Sequence, residues 1–329
     1  MKQILICGIG NALVDSEYKV SEEEITNLNL TKGCMELNDR ENHIKLSSRL
    51  RETHGTVKMM PGGSVANSLY TLSKFGADVS FIGRVSDDTT GDAFIDSLEN
   101  TGVRVNINQV DNGITGECLV LITPDHERTM YTHLGVSSEL SVEDINQAVI
   151  KDSEYLLVEG YLVTSEETHN VASYSLDIAT KYGIKKIITL SDPNVVKFFR
   201  ENILELLNKK FDIIFCNKQE ALNISMSNNI DDAIDFLREY GYEIIITSGE
   251  DGAYVTIGNE KAHEVPDKVK PVDLTGAGDM FLAAYVFAKI SNKILTDRIK
   301  FANTCSGSVI QKYGAKLDNQ DYGKLLERL

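Results

Sequence analysis

The stretch DLTGAGD at residues 273–279 runs directly into an apolar helical segment at residues 280–290. Small residues just before a helix let backbone N–H groups close on an anion, and the helix dipole adds positive potential at the same place. The pattern therefore predicts a phosphate-binding turn. Asp279 in this turn can accept the proton of an attacking hydroxyl group. The structural alternative is that Asp279 only caps the helix.

A second small-residue turn, PGGSVAN at residues 61–67, opens another predicted helix at residues 64–75. Paired glycines allow close approach of the backbone, and Asn67, one turn into the helix, can point its amide at sugar hydroxyl groups. The alternative is a tight turn in which Ser64 is the N-cap of the helix.

A third glycine segment, GIGNAL at residues 8–13, follows the first predicted strand and begins like a dinucleotide fingerprint. Leu13 stands where that fingerprint needs a small residue, so a Rossmann dehydrogenase is disfavoured. Asp15 then lies near the carboxyl end of the first strand, which is the edge where ligands bind in open α/β sheets. Its alternative role is that of a solvated loop acid.

Short apolar runs alternate with helical segments along the chain, and this alternation is typical of a parallel sheet covered by helices. The predicted strands are residues 4–7, 79–82, 155–158, 186–190, 213–216 and 243–247. The sequence therefore predicts an α/β fold with a doubly wound, mostly parallel sheet. Polar or glycine residues follow two of these strands, at Asn217 and Glu220 and again at Thr247, Gly249 and Gly252.

Two stretches, at about residues 14–37 and 107–134, break the alternation. Within the second, residues 118–122 and 128–132 read as strands joined by a turn. No Pro/Ser-rich linker separates these stretches from the rest of the chain. We therefore expect residues 1–329 to form a single domain with a small inserted β-sheet lid built from the two stretches.

The composition narrows the classes of partner. The chain has 329 residues and a formal net charge of −16, which would repel both a nucleic-acid backbone and an anionic membrane surface. Its five cysteines form no C-x-x-C pair, and no apolar window reaches the length of a membrane span. We expect a cytoplasmic protein that binds small molecules, as a monomer or homodimer, without nucleic-acid or membrane partners.

With these segments in this order, the sequence resembles the ribokinase-like, or PfkB, family of carbohydrate and nucleoside kinases. The D-T-x-G-A-G-D signature of that family is matched at residues 273–279 with one interior change. Its N-x-x-E pair is matched by Asn217 and Glu220, and its T-x-G-x-x-G nucleotide loop by Thr247, Gly249 and Gly252. Asn303 fits the asparagine that family members place near the adenine of ATP.

The resemblance implies a role for each matched residue. Asp279 is the expected catalytic base, and Gly276, Ala277 and Gly278 form the expected anion hole. The expected acceptor-binding residues are Asp15, Gly62, Gly63 and Asn67. The expected ATP-binding residues are Asn217, Thr247, Gly249, Gly252, Thr275 and Asn303. Mg²⁺ is expected to be organised indirectly by Glu220, and Asp273 and Thr275 are expected to border a monovalent-cation site for K⁺.

Three strings favour the adenosine-kinase branch of the family: GNALVD at residues 10–15, PGGS at 61–64 and ERTM at 127–130. The string DPN at residues 192–194 resembles an element of fructose and ketodeoxygluconate kinases, but Val196 replaces its arginine. Met35 takes the place of a polar residue often found in adenosine kinases. The leading prediction is phosphorylation of adenosine to AMP by MgATP. The alternatives are a kinase for ribose, fructose or a related sugar, and a non-catalytic nucleotide-binding regulator.

Overall fold

The computed structural model describes residues 4–33, 35–55, 57, 59–125 and 127–329. Its strands are β1 (Ile4–Ile9), β2 (Leu13–Lys19), β3 (Met35–Leu37), β4 (Met59–Gly62), β5 (Val79–Ser86), β6 (Arg104–Val110), β7 (Gly116–Ile122), β8 (Arg128–His133), β9 (Ser153–Glu159), β10 (Lys185–Thr189), β11 (Phe211–Asn217), β12 (Gly241–Thr247), β13 (Ala253–Ile257) and β14 (Glu260–Glu264). Its helices are α1 (Glu22–Asn27), α2 (Arg40–His54), α3 (Ser64–Lys74), α4 (Thr89–Glu99), α5 (Gln147–Lys151), α6 (Glu166–Tyr182), α7 (Pro193–Phe198), α8 (Arg200–Leu207), α9 (Lys218–Ser225), α10 (Ile230–Leu237), α11 (Ala277–Ile290), α12 (Leu295–Val309) and α13 (Asn319–Leu326).

The large sheet has the strand order β14-β13-β12-β11-β10-β9-β1-β5-β6. Neighbouring strands from β12 to β6 run parallel, and only β13 and β14, at one edge, pair antiparallel. Helices cover both faces, as parallel strands joined by helical crossovers require. The predicted α/β fold with a doubly wound, mostly parallel sheet is confirmed.

Strand β11 shows how the sheet separates two cores. Ile213 and Phe215 belong to the core that also contains buried residues of α3, α11 and α12. Ile214 and Cys216, which alternate with them, belong to the opposite core under α6 to α10. Because successive side chains point to opposite faces and both faces are covered, the strand reads as a continuous apolar run.

The small sheet has the order β3-β8-β7-β2-β4. On one face, Tyr18, Leu119 and Leu121 are buried against Leu46 and Leu50 of α2. The opposite face carries a separate apolar cluster centred on strand β7. The helix α2 therefore covers the outer face of the sheet, and the inner face is left to line a cavity.

The strands of the small sheet differ at two places from the stretches, about residues 14–37 and 107–134, from which the lid was expected to form. Strand β6 (Arg104–Val110) pairs with β5 in the large sheet, so residues 107–110 do not belong to the small one. Strand β4 (Met59–Gly62), which lies outside both predicted stretches, joins the small sheet by pairing with β2. Strand β6 is a mostly polar edge strand and β4 is short and contains Pro61, so neither shows the apolar alternation used for prediction.

The chemistry-bearing residues meet where the parallel strands end. The carboxyl ends of β9, β10, β11 and β12, the turn after β1 and the starts of α3 and α11 all line one cavity beneath the small sheet. Among the described helices, none combines the length and apolarity needed to cross a membrane.

Candidate active site

A cavity of about 730 Å³ lies between the two sheets. The large sheet contributes residues at the carboxyl ends of its strands: Glu159, Thr189, Phe215, Asn217 and Thr247. The small sheet contributes Leu13, Asp15, Met35, Leu37, Cys118, Arg128, Met130 and Thr132. The two glycine turns complete the lining with Gly63, Ser64, Asn67 and residues 271–279.

The turn before α11 is shaped for an anion. Gly276 is the N-cap of α11 with φ of 73°, and a Cβ there would lie 2.5 Å from the Cβ of Ala315, so only glycine fits. Within the described part of the chain, the backbone N–H groups of Gly276, Gly278 and Asp279 have no hydrogen-bond partner. The Ala277 N–H makes only a long 3.3 Å bond. These amides and the helix dipole together form a site of positive potential open to the cavity.

The carboxylate of Asp279 faces the same cavity. Ser64 Oγ donates to its Oδ1 at 2.6 Å, and Asn67 Nδ2 donates to its Oδ2 at 3.0 Å. Burial raises the pKa of Asp279 to about 6, and the two hydrogen bonds oppose this rise. Its partners lie on α3, and Gly276 occupies the N-cap of α11. The structure therefore does not support the alternative in which Asp279 only caps its helix.

The start of α3 differs from the expected Ser64 cap. The N-cap is Gly63, with φ of 90°, where a Cβ would lie 2.4 Å from the carbonyl oxygen of Asn11. Ser64 is the first helical residue, which frees its hydroxyl for Asp279. The Oδ1 of Asn67 is buried and has no hydrogen-bond partner in the described part of the chain. An unpaired buried acceptor beside a cavity is suited to a ligand hydroxyl group.

Asp15 lies on β2 at the small-sheet side of the cavity. Burial raises the pKa of Asp15 to about 7, while the positive charges of Arg128 and Lys316 oppose the rise. Lys316 is itself buried, which lowers its pKa to about 8, and its Nζ donates to the Pro61 carbonyl oxygen at 2.5 Å. A carboxylate with nearby cations and no hydrogen bond from the described residues can accept hydroxyl groups of an acceptor.

Glu159, at the end of β9, was not predicted as a site residue. Its Oε1 accepts the N–H of Asn11 at 2.8 Å, and its Oε2 accepts the N–H of Val65 at 3.0 Å. Burial raises the pKa of Glu159 to about 7 against the effect of these two bonds. The residue thus ties the turn after β1 to the start of α3. An acid directly after an apolar strand, at the ligand-binding edge, was the available sequence signal.

Asn217 and Glu220 form a capping box at the start of α9. Glu220 accepts the backbone N–H of Asn217 at 3.0 Å and its Nδ2 at 2.6 Å, and burial raises the pKa of Glu220 to about 8. Both residues also line the cavity. The N-x-x-E spacing therefore has a structural explanation that sequence reasoning missed.

The residues present fit a magnesium ion carried by a nucleotide better than one held by the protein alone. Glu220 and Asp279 both line the cavity, yet the described residues contain no group of three or more His, Cys, Asp or Glu side chains able to hold a metal. Mg²⁺ commonly keeps several waters and binds one or two carboxylates together with substrate phosphates.

The predicted ATP-binding residues divide into two sets. Thr247 and Thr275 line the cavity, whereas Gly249, Gly252 and Asn303 do not. Asn303 Nδ2 donates to the Glu264 carbonyl oxygen at 2.9 Å, and a Cβ at Gly252 would lie 2.1 Å from that same oxygen. Gly252 and Asn303 thus flank one backbone segment outside the cavity lining.

Two further predicted residues lie close to the cavity in different ways. Gly62, at the end of β4, does not line it but packs behind Asp15, whose carboxylate would be 2.7 Å from a Cβ at position 62. Asp273 lines it and is almost completely buried. Its carboxylate accepts the N–H of Thr275 at 2.9 Å and of Gly314 at 2.6 Å, and it pairs with Arg128 at 2.8 Å.

Comparison with known proteins adds the following similarities. The family model described as pfkB family carbohydrate kinase matches residues 33–321. The ribokinase of Staphylococcus aureus strain COL is 25% identical over 268 residues, which cover 79% of this chain and 84% of that protein. A crystal structure of a probable sugar kinase from Rhizobium etli CFN 42 aligns with a TM-score of 0.91 and 28% identity over 100% of both chains. The adenosine kinase structure from Sinorhizobium meliloti aligns with a TM-score of 0.89 and 28% identity over 98% of this chain and 99% of that one.

Proposed function

Since this chain belongs to the pfkB family of carbohydrate kinases, which are phosphotransferases with alcohol acceptors, we propose that its acceptor is a nucleoside. In this proposal the γ-phosphoryl group of MgATP is transferred to the hydroxymethyl group of adenosine, and AMP is the product.

The observation that carries the nucleoside assignment is the apolar wall of the cavity next to Asp15. It is formed by Leu13, Met35, Leu37 and Met130 of the small sheet together with Leu134. A nucleoside presents a flat, weakly polar base beside a hydroxylated ribose, so it offers one group to this wall and another to the polar residues. A free sugar carries hydroxyl groups on most of its surface and would leave the apolar wall without a partner.

The polar end of the cavity supplies groups for the ribose. In the proposed reaction, Asp15 and the unpaired Oδ1 of Asn67 accept hydrogen bonds from acceptor hydroxyl groups. Asp279 takes the proton of the attacking hydroxyl, and its pKa of about 6 leaves it mostly ionised at neutral pH. The small sheet above the cavity excludes water, which would otherwise compete as the phosphoryl acceptor.

The turn at Gly276, Ala277 and Gly278 stabilises the charge of the transferring group. Its N–H groups are fixed by the helix start before any ligand arrives, so they need no reorganisation during the reaction. Bound Mg²⁺, organised on the nucleotide through Glu220 and Asn217, would neutralise phosphate charge. Thr247 and Thr275 border the cavity on this side, and Gly249, Gly252 and Asn303 extend the proposed nucleotide site beyond it.

A sugar kinase is the second candidate. It is favoured by the similarity to the ribokinase and to the probable sugar kinase. It is also favoured by the residues with which the small sheet lines the cavity. Among the described residues that line the cavity, those from the small sheet include no aromatic ring on which a base could stack. A non-catalytic regulator has less support, because the base, the anion-binding turn and Glu220 all meet in one cavity.

A substrate panel separates these candidates. The purified chain would be assayed for ADP release from MgATP with adenosine, other nucleosides, ribose and fructose, and mass spectrometry would identify each product. ATP hydrolysis without acceptor is the control. The proposal predicts the highest kcat/KM for adenosine. Turnover with ribose or fructose and none with nucleosides would overturn the nucleoside assignment while leaving the kinase assignment intact.

A further inference from the structure

Arg128 joins the small sheet to the anion-binding turn. It is the first residue of β8, and its guanidinium contacts Glu17 of β2 at 2.5 Å and Asp273 at 2.8 Å. Only 13% of the Arg128 side chain and 1% of the Asp273 side chain are exposed. The ion pair is therefore largely shielded from solvent, and removing the guanidinium would leave the buried carboxylate of Asp273 without this positive neighbour.

The carboxylate of Asp273 is already well supplied with donors. Oδ1 accepts the N–H of Thr275, and Oδ2 accepts the N–H of Gly314 and lies 2.8 Å from the guanidinium of Arg128 in an ion pair. A carboxylate offers about four lone-pair positions; two are used by backbone N–H groups, and the guanidinium of Arg128 lies against Oδ2. The guanidinium, which is positive at every physiological pH, places a fixed positive charge between the carboxylates of Asp273 and Glu17.

These contacts are unfavourable for binding of the monovalent cation that was expected beside Asp273. A potassium ion bound at either carboxylate oxygen of Asp273 would sit close to the fixed positive charge of Arg128 in a buried place, where like charges repel most strongly. We propose that the guanidinium of Arg128 takes the place of the monovalent cation, so that phosphoryl transfer by this chain does not require K⁺.

The proposal rests on the kinase activity of the family and not on the identity of the acceptor. Asp273 is negative and lies three residues before Gly276, so without a cation it would oppose the binding of phosphate at the turn. Arg128 offsets that charge from the small sheet, although its guanidinium also pairs with Glu17. The role is one of positioning and charge balance, because Arg128 acts through Asp273.

The test compares wild type with Arg128→Met, which keeps most of the aliphatic stem and removes the charge. Arg51→Met is the matched control. Arg51 lies on α2, the helix that covers the outer face of the small sheet; it contacts Glu117 at 3.5 Å and does not line the cavity. Each protein is measured in KCl and in choline chloride at about 100 mM, so that ionic strength and screening are equal. The readouts are the thermal unfolding midpoint without ligands, and kcat with MgATP and whichever acceptor is turned over.

For wild type and for Arg51→Met, kcat is expected to differ less than about threefold between the two salts. The unfolding midpoint of each of these proteins is expected to be the same in KCl as in choline chloride. Arg128→Met is expected to be destabilised in choline chloride and to recover several degrees in KCl, because K⁺ then binds the uncovered Asp273. A larger K⁺ activation of wild type would overturn the proposal. It would also be overturned if the midpoint of Arg128→Met responded to KCl no more than that of Arg51→Met. The thermal measurement needs no acceptor, so it decides the matter even if adenosine is not the substrate.

Discussion

The hydroxyl of Ser64 donates a 2.6 Å hydrogen bond to Oδ1 of Asp279, and this bond joins the first turn of α3 to the first turn of α11. The two residues are 215 positions apart in the sequence. Each helix start is built on a glycine with positive φ, at Gly63 and Gly276. The acceptor-side turn and the anion-binding turn are therefore parts of one site, with the proposed base between them.

Ser64→Ala tests whether this bond tunes the base. A hydrogen bond to the ionised form lowers a carboxyl pKa, so its removal should raise the pKa of Asp279. The acid limb of the kcat/KM profile should move to higher pH, and kcat/KM at neutral pH should fall roughly 10-fold. The measurement is a pH–rate profile with the best acceptor.

Ser68→Ala is the control for this variant. Ser68 Oγ contacts the backbone carbonyl of Asp279 at 3.3 Å and not its carboxylate. Its pH profile should match that of wild type. Equal shifts in the two variants would show that the effect of Ser64 is general packing and not the tuning of the carboxyl group.

Gly276→Ala and Gly278→Ala should behave very differently. At Gly276 an L-residue must adopt φ of 73° and overlap Ala315, so we expect a loss of about 1–3 kcal/mol from backbone strain alone. At Gly278, inside α11, an added Cβ would make an ordinary 3.6 Å contact with Phe215. Alanine there should leave the free energy of unfolding unchanged or slightly higher. Urea unfolding of both variants measures the difference, and equal destabilisation would contradict the assigned turn geometry.

The ligand-free protein should become less stable as the pH rises from about 5 to about 8. Burial raises the pKa of four cavity carboxyl groups, to about 7 for Asp15, about 7 for Glu159, about 8 for Glu220 and about 6 for Asp279. In this range the folded state binds more protons than the unfolded state, whose carboxyl groups titrate near pH 4. Their contribution to stability is thus full below about pH 4 and is lost as the pH rises through the folded-state values.

His133 acts in the opposite direction, because burial lowers its pKa and so favours folding as the pH rises. Lys316, whose pKa is lowered to about 8 by burial, acts in the same direction as His133 only near the alkaline end of this range, so the four carboxyl groups should dominate. Urea unfolding at about pH 5.5 and about pH 8 without ligand gives the comparison. A free energy of unfolding that is equal or higher at the alkaline pH would contradict the burial of these carboxyl groups.

The parts of the fold that were predicted from sequence are those encoded locally. The apolar run at residues 213–216 indicates a strand, and the glycine turn at residues 273–279 indicates the start of a helix, each from a few adjacent residues. Strand β6 was missed because its residues are mostly polar at the sheet edge, and β4 because a four-residue strand containing Pro61 has no alternation.

Contacts between distant segments could not be read from spacing. Nothing near Arg128 in the sequence indicates Asp273 as its partner, since that pairing depends on how the small sheet lies over α11. The two backbone bonds accepted by Glu159 likewise exist only once β1, β9 and α3 are adjacent. The capping box of Asn217 and Glu220, in contrast, is local and was recognisable from its N-x-x-E pattern.

Asp279 is the proposed catalytic base, and the kcat of Asp279→Asn is the sharpest test of that role. The amide keeps the shape of the carboxylate but cannot take up the proton of the acceptor. We predict that kcat falls about 100- to 10,000-fold, while the unfolding midpoint stays at or above that of wild type because a buried charge has been removed. A variant that keeps kcat within a few-fold of wild type would rule out Asp279 as the base.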